Sequence, residues 1–378
     1  MVAKGARERS TTFTGIDFAL TTCWRKTTKQ RAPSPLVRVA LLWGLSLQVA
    51  ADAPPAEAEV DANETHPGEK TADVAEEKAR FFTTPEEKRE AGRRTEITPW
   101  LTAYGLVEVE FSYEDYAIDR GRDDDSGRYD VTTVQLGLVA DLFALAEAEA
   151  IVEYDSNEGT TKFDEAFVAI ERDHWALSAG RLYTPFGVYF SRFVSGPLIE
   201  FGETRANEAL IISHSPDDAL DRSVALYSGD ARKSGTSAPQ WNWVLALEAE
   251  VSPEWSVGWS YQTDLADADS ELLEDEGNRY EKRVAGISAY VQWSREPYQA
   301  SLEVLGATRS FDELDTDRDR PRAWNAEVSR AFLDDDFELA LRIEGSDELE
   351  DEPHLRFGIA ANWRISEYTA LTVEYLHG

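Results

Sequence analysis

Gly180-Arg-Leu-Tyr-Thr-Pro-Phe-Gly-Val-Tyr-Phe-Ser-Arg-Phe-Val-Ser-Gly-Pro-Leu-Ile-Glu-Phe-Gly-Glu-Thr-Arg205 is the stretch on which the fold turns. A strand pattern runs into it from Trp175 and stops at Pro185, which has no N–H to give to a ladder. The next strand pattern starts near Ala206. Hairpin loops hold about 2–5 residues, so this far longer interval is not a turn. It is also apolar, with Phe186, Val188, Tyr189, Phe190, Phe193, Val194, Leu198, Ile199 and Phe201, whereas the other long connections are acidic. A loop of this kind is unfavourable in water. It should fold onto or into whatever its flanking strands build.

Those strands belong to a long series. From Trp100 onward apolar and polar residues alternate: Leu101, Ala103, Gly105, Val107 and Val109 interleave with Thr102, Tyr104, Leu106, Glu108 and Glu110. Trp241, Trp243, Leu245, Leu247 and Ala249 interleave in the same way with Asn242, Val244, Ala246, Glu248 and Glu250. Period two means one apolar and one polar face per strand. Fifteen such segments lie near 100–113, 129–140, 144–154, 163–171, 175–183, 207–214, 221–229, 240–251, 254–264, 283–294, 297–309, 321–332, 336–346, 354–364 and 367–376. Their lengths centre on the ~9–11 residues of a tilted membrane strand. Soluble sheets use strands of about five or six.

The connections alternate as well. Short turns such as Val251-Ser-Pro-Glu-Trp255 and Ser294-Arg-Glu-Pro-Tyr298 take turns with long acidic segments such as 264–282 and 311–320. Short turns at one end and long loops at the other are the layout of an outer-membrane barrel. Trp175, Trp255, Tyr298, Phe337 and Tyr368 follow short turns, and Trp293, Phe332 and Trp363 precede them. They should ring one rim at headgroup level. The expectation is an all-β fold, a transmembrane antiparallel β-barrel of about 16 strands. Fifteen are read directly, and bacterial barrels use even numbers. Either one segment is mis-split or the last half-hairpin is missing after Leu376-His-Gly378.

Ahead of the barrel, residues 1–52 read as a signal-peptide region with an over-extended start. Arg25, Lys26, Lys29, Arg31 and Arg38 precede or open the apolar run 37–50, and Ala50, Ala51 and Ala53 follow it. Residues 53–97 read as an acidic disordered linker with a short helix from Thr84-Pro85-Glu86-Glu87 to about Arg94. Residues 98–378 are then the barrel.

Charge and composition narrow the function. The chain of 378 residues carries −34. Its first fifty residues hold eight Lys/Arg against two acidic residues, which leaves −40 for the rest. Nucleic acid is excluded as a partner, because phosphate binding needs a basic footprint. The single cysteine, Cys23, lies in the signal region. The mature chain therefore has no disulfide, thiolate metal site or Cys nucleophile. The five histidines sit in the linker, at turns and loops and at the end, and Ser213 and His214 point to opposite faces of a strand. No enzyme, cofactor or metal site is expected.

Gly180-Arg181-x-Tyr183-x-Pro185-Phe186-Gly187, then Gly196-Pro197-Leu198 and Gly202-Glu203-Thr204-Arg205, resemble the LbtU-like siderophore porin family. The likeness covers roughly 84–376 and is strongest over 163–230. Some relatives have Asp where this chain has Gly196. The resemblance implies a plugless outer-membrane barrel through which an iron–siderophore crosses passively.

From the residues themselves, loop 184–206 should constrict the bore. Gly187, Gly196 and Gly202 should permit its bends, and replacing Phe186 and Phe190 by Ala should raise conductance if the loop constricts the bore. Arg181 and Arg205 are expected to pair with Glu200 or Glu203, or to meet the solute. The polar faces offer Glu108, Glu110, Glu147, Glu149, Glu153, Glu248, Glu250, Glu303 and Glu344, with Arg342 and Arg356, as pore lining. That balance favours cations, which makes a general cation-preferring diffusion porin the alternative to a siderophore channel. The partners are outer-membrane lipid and a small solute, in a monomer or a homotrimer.

Overall fold

The computed structural model describes residues 35–44, 95–118, 122–143, 145–155, 159–216, 219–270, 272–273, 277–316, 318–333, 336–350, 352–366 and 369–378, with side chains at all of these except 35–44 and 110–132. The strands in chain order are β1 (Pro35–Gly44), β2 (Thr95–Thr98), β3 (Leu101–Ile118), β4 (Arg122–Phe143), β5 (Ala146–Asp155), β6 (Thr160–Arg172), β7 (Trp175–Tyr183), β8 (Arg205–His214) and β9 (Leu220–Ser228). They continue as β10 (Arg232–Lys233), β11 (Trp241–Ser252), β12 (Trp255–Gln262), β13 (Arg279–Tyr280), β14 (Gly286–Arg295), β15 (Tyr298–Ala307), β16 (Arg322–Phe332), β17 (Phe337–Asp347), β18 (Arg356–Ser366) and β19 (Thr369–His377). Seventeen of them share one sheet, while β10 and β13 form a separate short parallel pair.

All fifteen segments read from period two are strands, and each pairs antiparallel with the next: β3 to β9, β9 with β11, then β11 and β12 to β14 and onward to β19. The place between β19 and β3 is taken by β1. Val37 lies opposite Tyr375 on one side and Tyr113 on the other. With β1 counted, sixteen long strands each have a neighbour on both sides, and the four-residue β2 pairs with the start of β3 beside β1. A strand from the N-terminal side is thus added to the fifteen. It uses the residues that also read as an export signal. A short apolar run with β-branched residues is ambiguous between the two by periodicity alone. The expected linker and its helix, 53–94, lie outside the described residues.

The two faces of the wall differ as alternation requires. Outward, Val251, Leu341 and Trp363 are 68%, 54% and 54% exposed, and Val224, Leu226, Ile359 and Val373 follow the same parity. An apolar surface of this extent is stable against acyl chains and not against water. Inward positions carry Glu, Asn, Gln, Ser, Arg and Ala. At the short-turn end Trp255 and Trp293 lie 6.3 Å apart by ring centroid and Phe332 and Phe337 6.1 Å. Trp175 stacks on His214 at 4.1 Å. Tyr368 lies outside the described residues. A second aromatic group, Trp243 against Tyr261 at 5.2 Å, sits toward the long-loop end.

Candidate functional site

Beyond Tyr183 the chain leaves the wall and enters the ring. Its two stems stay together, since the Thr184 N–H donates to the Thr204 carbonyl at 2.9 Å. Between them the loop reaches inward-facing residues of β12 and of β15 through β19. Phe186 is fully buried, and a Cβ added to Gly286 on β14 would come within 2.7 Å of its ring. With Leu198, Ile199 and Phe201 it joins Leu265, Leu273, Tyr280, Val284, Leu305 and Phe311 in one core inside the barrel. Phe193 packs separately against Ala340, Ala360 and Leu376. The greasy loop therefore folds into the bore, as its composition requires.

A loop that leaves the sheet takes its backbone N–H groups with it, and buried ones need acceptors. Wall carboxylates supply them. Glu303 on β15 accepts from Val188 and Tyr189 at 2.9 and 3.0 Å. Glu327 on β16 accepts from Arg192 at 2.9 Å, and Glu344 on β17 from Leu198 at 2.7 Å. Glu374 on β19 accepts from Val194 at 2.8 Å and from the Ser195 N–H and hydroxyl. Charge-assisted bonds of this type are roughly twice as strong as neutral ones.

The same carboxylates are neutralised by arginines. Arg342, buried over the Phe193 ring at 4.2 Å, donates to Glu327 at 2.8 Å and stands 3.4 Å from Glu344. It also donates to the Ser195 carbonyl at 2.9 Å and to the Ser191 hydroxyl. Arg356 holds Glu344 at 2.7 Å and the Gly196 carbonyl at 3.1 Å. Arg192 of the loop pairs with Glu338 at 2.9 Å. Asn325 and Asn362 donate to the carbonyls of Phe190 and Arg192 at 3.2 and 3.1 Å. Glu303, Arg342 and Glu344, expected at the water-filled bore, are therefore covered by the loop they hold.

The motif residues at the stems have partners other than those expected. Arg205 pairs with Asp164 on β6 and, at 3.7 Å, with Asp269. Arg181 donates to the Asp164 carbonyl at 3.0 Å and to Asn207. The Tyr183 ring lies 5.5 Å from the Arg205 guanidinium. Among the described residues the hydrogen bonds and ion pairs of these arginines go to Asp164, Asn207 and Asp269 instead of Glu200 or Glu203. Strands β6, β7 and β8 are adjacent, so Asp164 is closer to both than the loop interior. Pro197 precedes a 3-10 turn over Leu198–Gly202. Gly187 has φ of +78°, a left-handed bend that favours glycine. Gly202 is needed for space instead, since a Cβ there would meet Leu305 at 2.6 Å. Phe190 is half-buried with the Arg192 guanidinium 4.5 Å above it.

The connection after β12 clamps the loop from the long-loop end. Asp269 N–H donates to the Glu203 carbonyl at 2.7 Å, Ser270 to the Phe201 carbonyl at 2.6 Å, and Gln262 to the Thr204 hydroxyl at 2.9 Å. Two acids lie inside this turn. Burial, with Asp267 nearby, pushes the Asp264 carboxyl up to about 7 despite Arg283 at 3.7 Å. Burial pushes Asp267 up to about 6, although the Ala231 N–H and the Asn242 amide bond to it.

On the arc from β3 to β6 the described inward carboxylates Glu149 and Glu153 bond to their own wall. Glu149 accepts from the Tyr104 hydroxyl. Glu153 accepts from Gln135 at 2.7 Å and lies 3.6 Å from Lys162. Glu147, Glu248 and Glu250 are exposed, while Glu108 is buried. Glu110 lies in β3, outside the described side chains. Among the described residues no group of three His, Cys, Asp or Glu could hold a metal ion. Sequence reasoning missed Asp164, Asp269, Glu327, Glu338 and Glu374. The last three sit at inward positions of read strands, and the demand for acceptors by a buried loop is the signal that could have found them.

The chain resembles solved porins in architecture. An anion-selective porin from Comamonas acidovorans matches at TM-score 0.51 with 12% identity, over 73% of this chain and 98% of that one. Salmonella typhi OmpF matches at 0.47 with 11% identity over 73% and 97%. The outer-membrane channel DcaP of Acinetobacter baumannii matches at 0.46 with 10% identity over 94% and 99%. No protein-family model matches the chain. A UPF0422 protein of Coxiella burnetii is 25% identical over 252 residues, 60% of this chain and 54% of that one, so the chain spans about half the length of that relative. The match to the Comamonas porin carries the fold alone, an antiparallel β-barrel.

Proposed function

We propose that this protein is an outer-membrane channel of Gram-negative type through which small solutes diffuse passively, with the loop between β7 and β8 narrowing the bore. The supporting observation is the loop itself, bonded to inward carboxylates of four wall strands inside a barrel whose outside is apolar. Cations are the favoured solutes. The inward arginines Arg192, Arg342 and Arg356 are each ion-paired to glutamate against the loop. On the inward wall Glu147, Glu248 and Glu250 are exposed and Glu149 and Glu153 half-buried, and a bore of one sign concentrates the opposite one.

The iron–siderophore cargo implied by the family resemblance is the finer reading. Its motif residues Gly180, Arg181, Thr204 and Arg205 support the loop stems here, and an anionic iron complex would meet a carboxylate wall. Siderophore uptake by a deletion strain under iron limitation tests it, and unchanged uptake removes it. The channel itself is tested in planar bilayers under a KCl gradient. Stepwise conductance with a reversal potential of cation-selective sign is expected. A silent protein overturns the channel, and an anion-selective sign overturns the solute class.

A further inference from the structure

Arg330 breaks the pattern of the outer face. On β16 Ser329 is buried and donates to Glu338 at 3.1 Å, so its neighbours Val328 and Arg330 point the other way, and both are exposed. This places a cation on the apolar side of the wall, beside the short turn to β17. Arg330 pairs with Tyr298 of β15 in register. Its guanidinium lies 5.3 Å from the Tyr298 ring and 4.6 Å from the Phe332 ring. Among the described residues no carboxylate forms an ion pair with it. Other arginines near this rim have one: Arg295 has Glu254 at 3.5 Å, and Arg364 has Asp336 at 4.0 Å.

An unpaired cation is costly among acyl chains and favourable at the level of anionic headgroups. Stacking on aromatic faces fixes the plane of a guanidinium while leaving its N–H edge free. That edge matches two phosphate oxygens at once. We infer that Arg330, Tyr298 and Phe332 form a seat for the phosphate of a phospholipid headgroup at the short-turn rim. The inference rests on the membrane reading above.

The test uses the full chain in detergent, titrated with phosphatidylglycerol and followed by native mass spectrometry, with inorganic phosphate as a separate arm. Wild type should retain lipid adducts at roughly tenfold lower lipid concentration than Arg330→Gln, a ratio equal to about 1.4 kcal/mol. Arg330→Lys, which keeps the charge but loses the fork, should fall between them. Tyr298→Leu provides a second variant that leaves the charge in place and should also weaken retention. Equal retention by wild type and Arg330→Gln, both with the heat-modifiable gel shift of a folded barrel, overturns the seat. Full displacement of the lipid by inorganic phosphate overturns the lipid as occupant. A wild-type chain with no heat-modifiable form in detergent overturns the membrane reading and the seat together.

Discussion

Two arcs of one wall use the same residue type for different work. On β15 to β19 the inward glutamates Glu303, Glu327, Glu344 and Glu374 are buried, and their oxygens take N–H groups from the loop. On β3 to β6 Glu149 and Glu153 remain half-buried and bond to Tyr104, Gln135 and Lys162 of their own wall. Position in a strand does not separate the two groups, since both face inward. What separates them is whether a second layer of chain lies over them. A carboxylate under the loop is a structural acceptor, and one beside water contributes to the field along the bore.

That contrast can be broken at its strongest point by Arg342→Ala. The substitution leaves Glu327 and Glu344 buried without their shared cation, a loss of about 3–5 kcal/mol for a broken buried pair. The temperature at which the folded gel band disappears should drop, and channel recordings should become noisier as the loop loosens. Glu303→Ala comes next. It strips the acceptor from two loop N–H groups, and each buried unsatisfied group costs about 1–3 kcal/mol. Conductance should rise with the barrel still folded.

A smaller effect comes from pH. Asp264 and Asp267 have carboxyls pushed up to about 7 and 6 by burial, above their unfolded values near 4. The folded turn therefore holds more protons than the unfolded chain between these limits. Its stability is full below about pH 4 and declines as pH rises through 6 and 7. Amide exchange of residues 265–270, corrected for intrinsic rate, should be faster at pH 8 than at pH 5. Asp264→Asn should reduce that difference. On the open arc, Glu149→Gln should change stability by no more than about 0.5 kcal/mol. It should nevertheless move the reversal potential toward zero in a KCl gradient. A Glu303→Gln channel with the same selectivity change would erase the distinction between the arcs.

Much of this was legible in the sequence. Period two located all fifteen barrel strands, and the contrast between the greasy loop and the acidic ones placed residues 184–206 inside. The partners of Arg181 and Arg205 were not legible. They depend on Asp164, which becomes a neighbour only when β6, β7 and β8 align. The covering of Glu303, Arg342 and Glu344 was hidden for a related reason, because strand alternation gives a facing direction and not what lies opposite. The strand at Pro35–Gly44 was not foreseen, because the apolar run 37–50 was read as an export signal and a short apolar run suits both. Peptide mapping of membrane-extracted protein separates the two roles. With β1 in the ring, peptides covering 35–44 are expected. A mature start after Ala50 would return the segment to targeting and leave the β3 and β19 edges to another strand.

The proposed channel depends on the loop narrowing its bore. Because Thr184 and Thr204 are already hydrogen-bonded, residues 186–202 can be replaced by a short Gly-Ser turn without disturbing β7 or β8. Single-channel conductance of that variant, with the heat-modifiable band confirming the barrel, is the direct measurement. A severalfold increase over wild type is expected, and an unchanged conductance rules out the loop as the constriction.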